Sequence, residues 1–202
     1  MQKSEVDFSH FAFLSFSFVD YLLQHLDIVS MDLQPSLTGK LLLVRPLALA
    51  DFEPLFEVAS DPVIWDQHPF PRFEKNAFIE FFEQAEKSKS GLVVIDQATE
   101  EIVGASRYYN QKENQIAIGY TFLARSHWGG KFNRELKTLM IEHALLFVGE
   151  IFFDIGEHNL RSRRAIEKVG ASFVSLQTIN EKPYTLYKID RTNFLAALGT
   201  RV

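Results

Sequence analysis

The chain has 202 residues, 47% of them in the hydrophobic set, and a formal net charge of −5. That length favours one domain with a sizeable core, and nineteen phenylalanines predict that this core is rich in aromatic rings. The acidic balance argues against a nucleic-acid partner, which needs clustered lysine and arginine. The absence of cysteine excludes disulfides and thiolate chemistry, and the six scattered histidines lack ligand spacing, so we expect no bound metal.

Residues 1–36 are predicted to be an N-terminal extension with a helix over 16–26. Its apolar stretch, 8–19, is too short to span a bilayer, follows two acidic residues and precedes no cleavage site. We therefore expect a cytoplasmic protein without a membrane partner. An alternative interpretation is that translation starts at Met31, just before the domain pattern begins.

Residues 37–190 are predicted to form a single domain. In chain order, its first part contains a strand, two helices and three strands joined by short polar turns. Such short connections predict an antiparallel meander. These elements are the strand 40–47, the helices 51–60 and 74–87, and the strands 91–96, 102–109 and 115–123.

The second part begins with a long helix and a strand. With the third meander strand they form a β-α-β crossover, which predicts that the two strands are parallel. The fold class is therefore α+β, with a mixed, mostly antiparallel sheet covered by helices. The elements of this part are the helix 133–148, the strand 151–155, the helix 160–169 ended by Gly170, the strands 172–179 and 185–189 around a turn at Pro183, and a tail over 191–202.

The segment FLARSHWGGKFNRELK (122–137) runs from a strand end through a glycine loop into a helix. Such a loop directs several backbone N–H groups at one anion, and Gly129 and Gly130 let the backbone approach it closely. A pyrophosphate is the expected occupant, and a purely structural glycine turn is the alternative. A kinase-type phosphate loop is disfavoured because Phe132 stands where Ser or Thr holds magnesium, and no dinucleotide fingerprint occurs.

The segment GEHNLRSRRAIEKVGA (156–171) carries Asn159 and Ser162 at a strand-to-helix junction. Asn159 is suited to cap the helix through the amide of Ser162. The functional interpretation is that both side chains face a cleft, with Arg161, Arg163 and Arg164 near a phosphate. The structural alternative is a local cap beside solvated arginines.

Together, in this order, the two segments resemble the acyl-CoA-binding motifs of the GNAT superfamily of N-acetyltransferases. The run WGGKFNRELK (128–137) is similar to a variant in the branch that includes ribosomal-protein N-terminal acetyltransferases. The runs NLRSRRAIEKVGA (159–171) and TGKLLLVRPL (38–47) resemble the second motif and the first strand of that branch. The resemblance covers 37–189 and implies a GNAT-like domain in which splayed strands form the acyl-CoA cleft.

The resemblance implies transfer of an acetyl group from acetyl-CoA, bound as a cosubstrate, to a primary amine of a small molecule or a protein N-terminus. It implies that the strand end binds the pantetheine arm, that the loop holds the pyrophosphate, and that the second motif contacts the pantetheine or thioester. Dimers are common in the superfamily, which favours a homodimer. The implied cofactor-binding residues are Phe122, Leu123, Ala124, Arg125, Trp128, Gly129, Gly130, Lys131, Phe132, Asn133, Arg134, Asn159 and Ser162.

The sequence departs from the family pattern at catalytic positions. Ala117 stands where many relatives have a glutamate base, and Ile166 where many have a tyrosine that protonates the thiolate. Lys131 and Asn133 replace a loop glycine and a small residue. No catalytic residue is assigned, and the candidate replacements are His68, His127, Tyr184 and Tyr187.

We expect the aromatic loop 65–73 and the hairpin around Lys182 and Pro183 to form the walls of the acceptor site. Two other functions stay open. The missing glutamate and tyrosine favour a non-catalytic acyl-CoA-binding or partner-docking module as the main alternative. A protein that binds nucleotide phosphates through the Gly-Gly-Lys loop is the third hypothesis.

Overall fold

The computed structural model describes residues 30–199, in which eight strands form a single sheet. They are β1 (Leu37–Thr38), β2 (Leu42–Pro46), β3 (Gly91–Asp96), β4 (Ile102–Lys112), β5 (Gln115–Leu123), β6 (Glu150–Gly156), β7 (Ser172–Ile179) and β8 (Lys182–Asp190). Their order across the sheet is β1-β2-β3-β4-β5-β6-β8-β7, and every neighbouring pair except β5 and β6 is antiparallel. The predicted α+β class, with its meander and one parallel pair, is confirmed.

Five α-helices flank the sheet in the described residues: α1 (Phe52–Ala59), α2 (Lys75–Lys87), α3 (Lys131–Ala144), α4 (Leu160–Glu167) and α5 (Arg191–Gly199). Strand side chains alternate between the two faces, so each face has its own core. Val93 packs with the buried aromatic rings of α2, whereas Leu92 and Val94 belong to the cluster that contains the apolar residues of α3. The sheet therefore separates an aromatic core from a mainly aliphatic one.

The predicted boundaries are wrong in two places for local reasons. Pro183 lies inside β8, because the turn before it is made by Asn180 and Glu181, both with positive φ. Two such residues form the tight connection whose twist suits a hairpin. The helix predicted over 133–148 is α3, which starts at Lys131 and ends at Ala144. Beyond it, apolar residues keep their helical spacing while the chain turns toward β6.

Both ends of the domain differ from the expected layout. Met31 is buried in the aliphatic core, so packed structure begins before the predicted boundary at 37. The predicted tail contains α5, whose Phe194 is 3% exposed in that same core. The chain divides into two units, Met1–Ser30 and Met31–Val202, and the helix predicted over 16–26 lies outside the described residues. Between residues 30 and 199, no helix is long and apolar enough to cross a membrane.

Candidate active site

The one parallel strand pair opens into a cleft. β5 and β6 pair in register only from Gln115 with Glu150 to Ala117 with Phe152, after which the two strands separate. The space that opens between them has a volume of about 1330 Å³. Since paired strands satisfy each other's backbone groups, the separated ends leave part of a ladder free to bind an extended ligand.

A bulge in β5 accompanies this separation. The register of β4 against β5 shifts between Ala105 and Arg107, which leaves an extra residue on β5. Tyr120 lies in this bulge and has a φ of 55°, a conformation that is rare for a residue with a bulky side chain. Strained backbone of this kind is kept where the surrounding structure enforces it, commonly at functional sites. The bulge bends β5 away from the line it would follow beside β6.

The free edge of β5 is centred on Leu123. The N–H of Ala124 donates to the carbonyl of Val103 on β4 at 2.8 Å, so it points away from the cleft. Backbone groups of successive strand residues point to opposite edges, so Leu123 presents its own toward β6. Its carbonyl accepts a hydrogen bond from Trp128 Nε1 at 2.9 Å. The indole thereby holds the start of the glycine loop against the strand edge.

The glycine loop ends in an uncapped helix N-terminus. Gly129 and Gly130 have φ values of 97° and 110°, and a Cβ atom at either position would meet nothing within 4 Å. These conformations require glycine, and the loop is open where a ligand could approach. α3 begins at Lys131 with no side-chain cap, so its first amides are free for an anion at the positive end of the helix dipole. Lys131, Arg134 and Arg164 line the same opening.

The second motif also lines the cleft. Asn159 Oδ1 accepts the amide of Ser162 at 3.1 Å, as the capping interpretation predicts, and both residues also line the cleft. The Arg161 guanidinium lies 4.2 Å from the centre of the Trp128 ring and pairs with Asp66 at 2.6 Å. It therefore links α4 to the loop before α2 as well as to the glycine loop. Arg163 instead donates to Glu157 and Tyr187, outside the cleft.

In the run after the glycines, Glu135 stabilises the fold and Lys137 reaches the cleft. Glu135 Oε1 accepts the amides of Leu41 and Leu42 at 2.7 and 2.9 Å, which fixes β2 against α3. Lys137, two residues later, is 6% exposed and donates to Thr121 Oγ1 on β5 at 2.6 Å. Its ammonium also lies 5.9 Å from the ring centre of Phe153 on β6.

Lys137 therefore reaches from α3 to the point where the two strands part. Burial lowers the pKa of its amine to about 7. At neutral pH the group can give up or take up a proton at little cost, a property common in acid–base catalysts. Lys137 is not among the site residues predicted from the sequence, because its burial depends on the separation of β5 and β6.

The other side of the cleft is lined mainly by side chains. We call it the aromatic side and define it by Arg72, Tyr109, Tyr120, Asp154 and Tyr184. Arg72 lies in the loop before α2, and the other four lie on β4, β5, β6 and β8, in that order. Asp154 accepts a hydrogen bond from the Tyr109 hydroxyl at 2.8 Å, and burial raises the pKa of that hydroxyl. The loop 65–73 and the β7–β8 hairpin meet here, because Lys182 Nζ donates to the carbonyl of Pro69.

The opposite side consists of Leu123, Trp128, Gly129, Gly130, the first turn of α3, and Asn159, and we call it the glycine-loop side. Ten of the thirteen predicted cofactor-binding residues line the cleft: Phe122, Leu123, Trp128, Gly129, Gly130, Lys131, Asn133, Arg134, Asn159 and Ser162. Three do not. The Ala124 amide is bonded to β4, Arg125 pairs with Asp61, and Phe132 packs against His127.

The four candidate catalytic replacements have different surroundings. His68 and Tyr184 lie on the wall of the cleft near the aromatic side. Burial, reinforced by Arg72 and Arg161, lowers the pKa of His68 to about 3, which makes it a weak base. His127 also lines the cleft but is bonded to Asp96 at 2.9 Å. Tyr187 is 1% exposed and is held by Glu167 and Arg163.

A mixed sheet that opens at its single parallel pair, beside a glycine loop and a helix N-terminus, defines the GNAT class of fold. Residues 41–172 match the family model described as "Acetyltransferase (GNAT) domain". The match spans more than half of the chain, so the protein belongs to this acetyltransferase family, and the resemblance in its motifs is confirmed. No curated protein matches the chain in sequence.

Solved structures agree with this fold at low sequence identity. A GCN5-related N-acetyltransferase from Brucella melitensis is 18% identical, with a TM-score of 0.71, over 81% of this chain and 82% of that one. A spermidine N-acetyltransferase from Vibrio cholerae, in complex with CoA and spermine, is 16% identical with a TM-score of 0.61, over 78% and 99%. A putative ribosomal-protein-serine acetyltransferase from Vibrio cholerae is 15% identical with a TM-score of 0.65, over 77% and 97%.

Within residues 30–199, no group of three or more His, Asp or Glu could hold a metal ion.

Proposed function

We propose that the protein transfers an acetyl group from acetyl-CoA to a primary amine. The observation that carries the proposal is the separation of β5 from β6 at the bulge around Tyr120. The opening lies between the glycine loop, with the uncapped N-terminus of α3, and the buried Lys137. The opening offers a free strand edge for an extended amide chain and an anion site beside it. The similar spermidine N-acetyltransferase, whose structure contains CoA and spermine, supports an amine as the acceptor.

The residues present fit acetyl-CoA, which supplies an acetyl thioester when bound. The pyrophosphate would accept hydrogen bonds from the amides of Gly130 and the first turn of α3, assisted by Arg134. The edge of β5 at Leu123 would pair with the pantetheine arm. Asn159, whose oxygen already caps α4, would offer its amide nitrogen to the same arm. The open space above Gly129 and Gly130 is what a phosphate group requires.

Lys137 is suited to act as the acid that the family tyrosine supplies in other members. It lies between Thr121 of β5 and Phe153 of β6, on the face of the sheet that α3 covers. An amine of pKa about 7 can protonate a departing thiolate, whose conjugate thiol has a pKa of about 8.5 in free cysteine. Ile166, at the position of that tyrosine, is buried in the aliphatic core and cannot serve.

The acceptor amine would approach from the other face of the sheet. Tyr120 contacts Phe81 of α2 and Tyr109, and the Tyr109 hydroxyl reaches Asp154 on β6. The Asp154 carboxylate is suited to bind the amine and to take its proton as nitrogen bonds to the acetyl carbon and the carbon–sulfur bond breaks. Lys137 gives its own proton to the sulfur, and both groups return to their starting states by exchange with water.

The direct test is an acetyl-transfer assay with acetyl-CoA and a broad panel of primary amines, in which acetylated products are identified by mass. We expect at least one amine to be acetylated and free CoA to appear in equal amount. Lys137→Met should lower kcat about 100-fold, because acid–base groups typically contribute at least that much. The same change should leave the affinity for acetyl-CoA nearly unaltered, since Lys137 lies beyond the phosphate and strand-edge contacts.

Binding of acetyl-CoA without any transfer would contradict the proposal and favour the non-catalytic acyl-CoA-binding module instead. An unchanged kcat in Lys137→Met would remove the assignment of that residue as the acid. The variant's stability at each assay pH, measured by denaturant unfolding, serves as the control that separates a lost proton donor from a damaged fold.

A further inference from the structure

Two guanidinium groups beside Tyr120, those of Arg72 and Arg107, have no acidic partner among residues 30–199. Arg72 lies over aromatic rings, with its central carbon 4.9 Å from the centre of Phe81 and 5.9 Å from that of Tyr120. Arg107 on β4 is 5% exposed and lies 3.7 Å from the centre of Tyr120. Both cations therefore contact Tyr120, the residue at the bulge.

Other half-buried arginines have their guanidinium donors satisfied. Arg45 and Arg161 each pair with an aspartate, and Arg163 donates to the Tyr187 hydroxyl and the Glu157 carbonyl. Among residues 30–199, no carboxylate oxygen lies within 4.0 Å of Arg72 or Arg107, and the buried Nε of Arg107 has no hydrogen-bond partner. Arg72 reaches only His68 Nδ1, at 3.5 Å, which is the limit of a hydrogen bond.

Removing these two guanidinium groups from water without an anionic partner costs free energy of folding. Burial lowers the pKa of Arg72 to about 10, and it also lowers that of Arg107. A cation removed from water is normally compensated by an anion or by hydrogen bonds to every donor. Rings supply part of that compensation through cation–π contacts, but they offer no acceptor in the plane of the guanidinium, where its N–H donors point.

Resting on the proposed function, we infer that the acceptor amine carries an anionic group, a carboxylate or a phosphate monoester, that binds Arg72. Arg72 lines the cleft itself, whereas Arg107 is buried behind Tyr120 and adds positive potential. Asp154 lies on the same side, bonded to Tyr109 and Gln177, and would attract the amine end. An acceptor with both charges would thus be oriented with its nitrogen toward β6 and its anion toward the loop 65–73.

The test uses pairs of amines that differ only in the anionic group. Each common L-amino acid is compared with its α-carboxamide, and ethanolamine phosphate with ethanolamine. Transfer is measured as kcat/KM, and binding to the CoA-saturated protein is measured by calorimetry. We expect the anionic member of at least one pair to exceed its neutral partner about 30-fold or more, as for a hydrogen-bonded charge pair. The pair that responds distinguishes a carboxylate from a phosphate.

Arg72→Gln should reduce that preference to less than about threefold, while Arg72→Lys should retain part of it. The matched control is Lys75→Gln. Lys75 also lies over aromatic rings, at 5.6 Å from the centre of Phe52, but it pairs with Glu53 and is outside the cleft. This control should keep the full preference.

The outcomes separate the two proposals. Transfer to neutral amines with no anionic preference, or a preference that survives Arg72→Gln, would overturn the inference and leave the proposed function intact. Anionic amines that bind the CoA complex through Arg72 but are never acetylated would support the inference and overturn the proposed function. Equal binding of anionic and neutral members with no transfer would overturn both.

Discussion

The glycine-loop side of the cleft offers mainly backbone groups, whereas the aromatic side offers mainly side chains. The first side rests on the positive φ of two glycines, an uncapped helix start and a free strand edge. The second joins an arginine, tyrosines and an aspartate from a loop and four different strands. Backbone sites recognise features common to all acyl-CoA molecules, while side chains vary without disturbing the fold. The comparison suggests that the first side fixes the reaction class and the second fixes the acceptor.

The largest effect is expected from placing a side chain on the glycine loop. Gly130→Val introduces a β-branched residue at φ 110° and ψ −39°, which only glycine adopts readily, and crowds the first amides of α3. We expect the Kd for acetyl-CoA to rise about 100-fold, or about 2.7 kcal/mol. Equilibrium binding is the measurement. Gly199→Ala, at a glycine with open space around it and away from the cleft, should bind normally.

An intermediate effect on stability is expected where the two sides meet, at Lys137. Its pKa is about 7 in the folded protein but 10.5 for a free side chain, so the unfolded chain takes up more protons between these values. Stability should therefore rise with pH from about 7 toward 10.5. Lys137→Met removes this dependence, and we expect it to increase the free energy of unfolding by about 2 kcal/mol at pH 6.

Denaturant unfolding at pH 6 and pH 9 measures this change. The gain from Lys137→Met should shrink at the higher pH, since the lysine is then neutral in the folded protein and removing its proton on folding costs less free energy as the pH approaches 10.5. A variant that is equally destabilised at both values would mean that the Thr121 hydrogen bond outweighs the buried charge.

The smallest effect is expected at the second motif. Asn159→Ala removes the cap on the Ser162 amide and should lower the free energy of unfolding by about 1 kcal/mol. Asn159→Asp keeps a capping oxygen, so its stability should stay near that of the original protein. It also loses the amide N–H donors, so we expect both variants to bind acetyl-CoA more weakly. If the aspartate variant bound normally, Asn159 would have only a structural role.

The same comparison explains what could be predicted from the sequence. The glycine loop and the Asn159 cap are local motifs whose residue types indicate their backbone conformation, so both could be recognised in the sequence. The family resemblance implies that the backbone of Ala124 binds the pantetheine arm, but strand alternation turns its amide toward Val103. Most of the residues implied by the resemblance line the cleft, and their contacts with acetyl-CoA stay a prediction.

The aromatic side carries no comparable signal in the sequence. Arg72, Tyr109 and Asp154 are far apart in the chain and meet only because the bulge at Tyr120 separates β5 from β6. Gly119 flanks the bulge, and a glycine inside a strand often marks one, but the residue with the positive φ is Tyr120. The loop 65–73 and the β7–β8 hairpin, which we expect to form the walls of the acceptor site, both line the cleft, and Arg72 of that loop was not among the predicted site residues.

A single series of calorimetric titrations with acetyl-CoA tests the division of the cleft most directly. The original protein, Gly130→Val and Arg72→Gln are titrated under the same conditions. We predict micromolar binding for the original protein, about 100-fold weaker binding for Gly130→Val, and a Kd within about threefold of the original for Arg72→Gln. Absence of binding by the original protein, or equal losses in the two variants, would contradict a cofactor site built by the glycine loop and separate from the acceptor site.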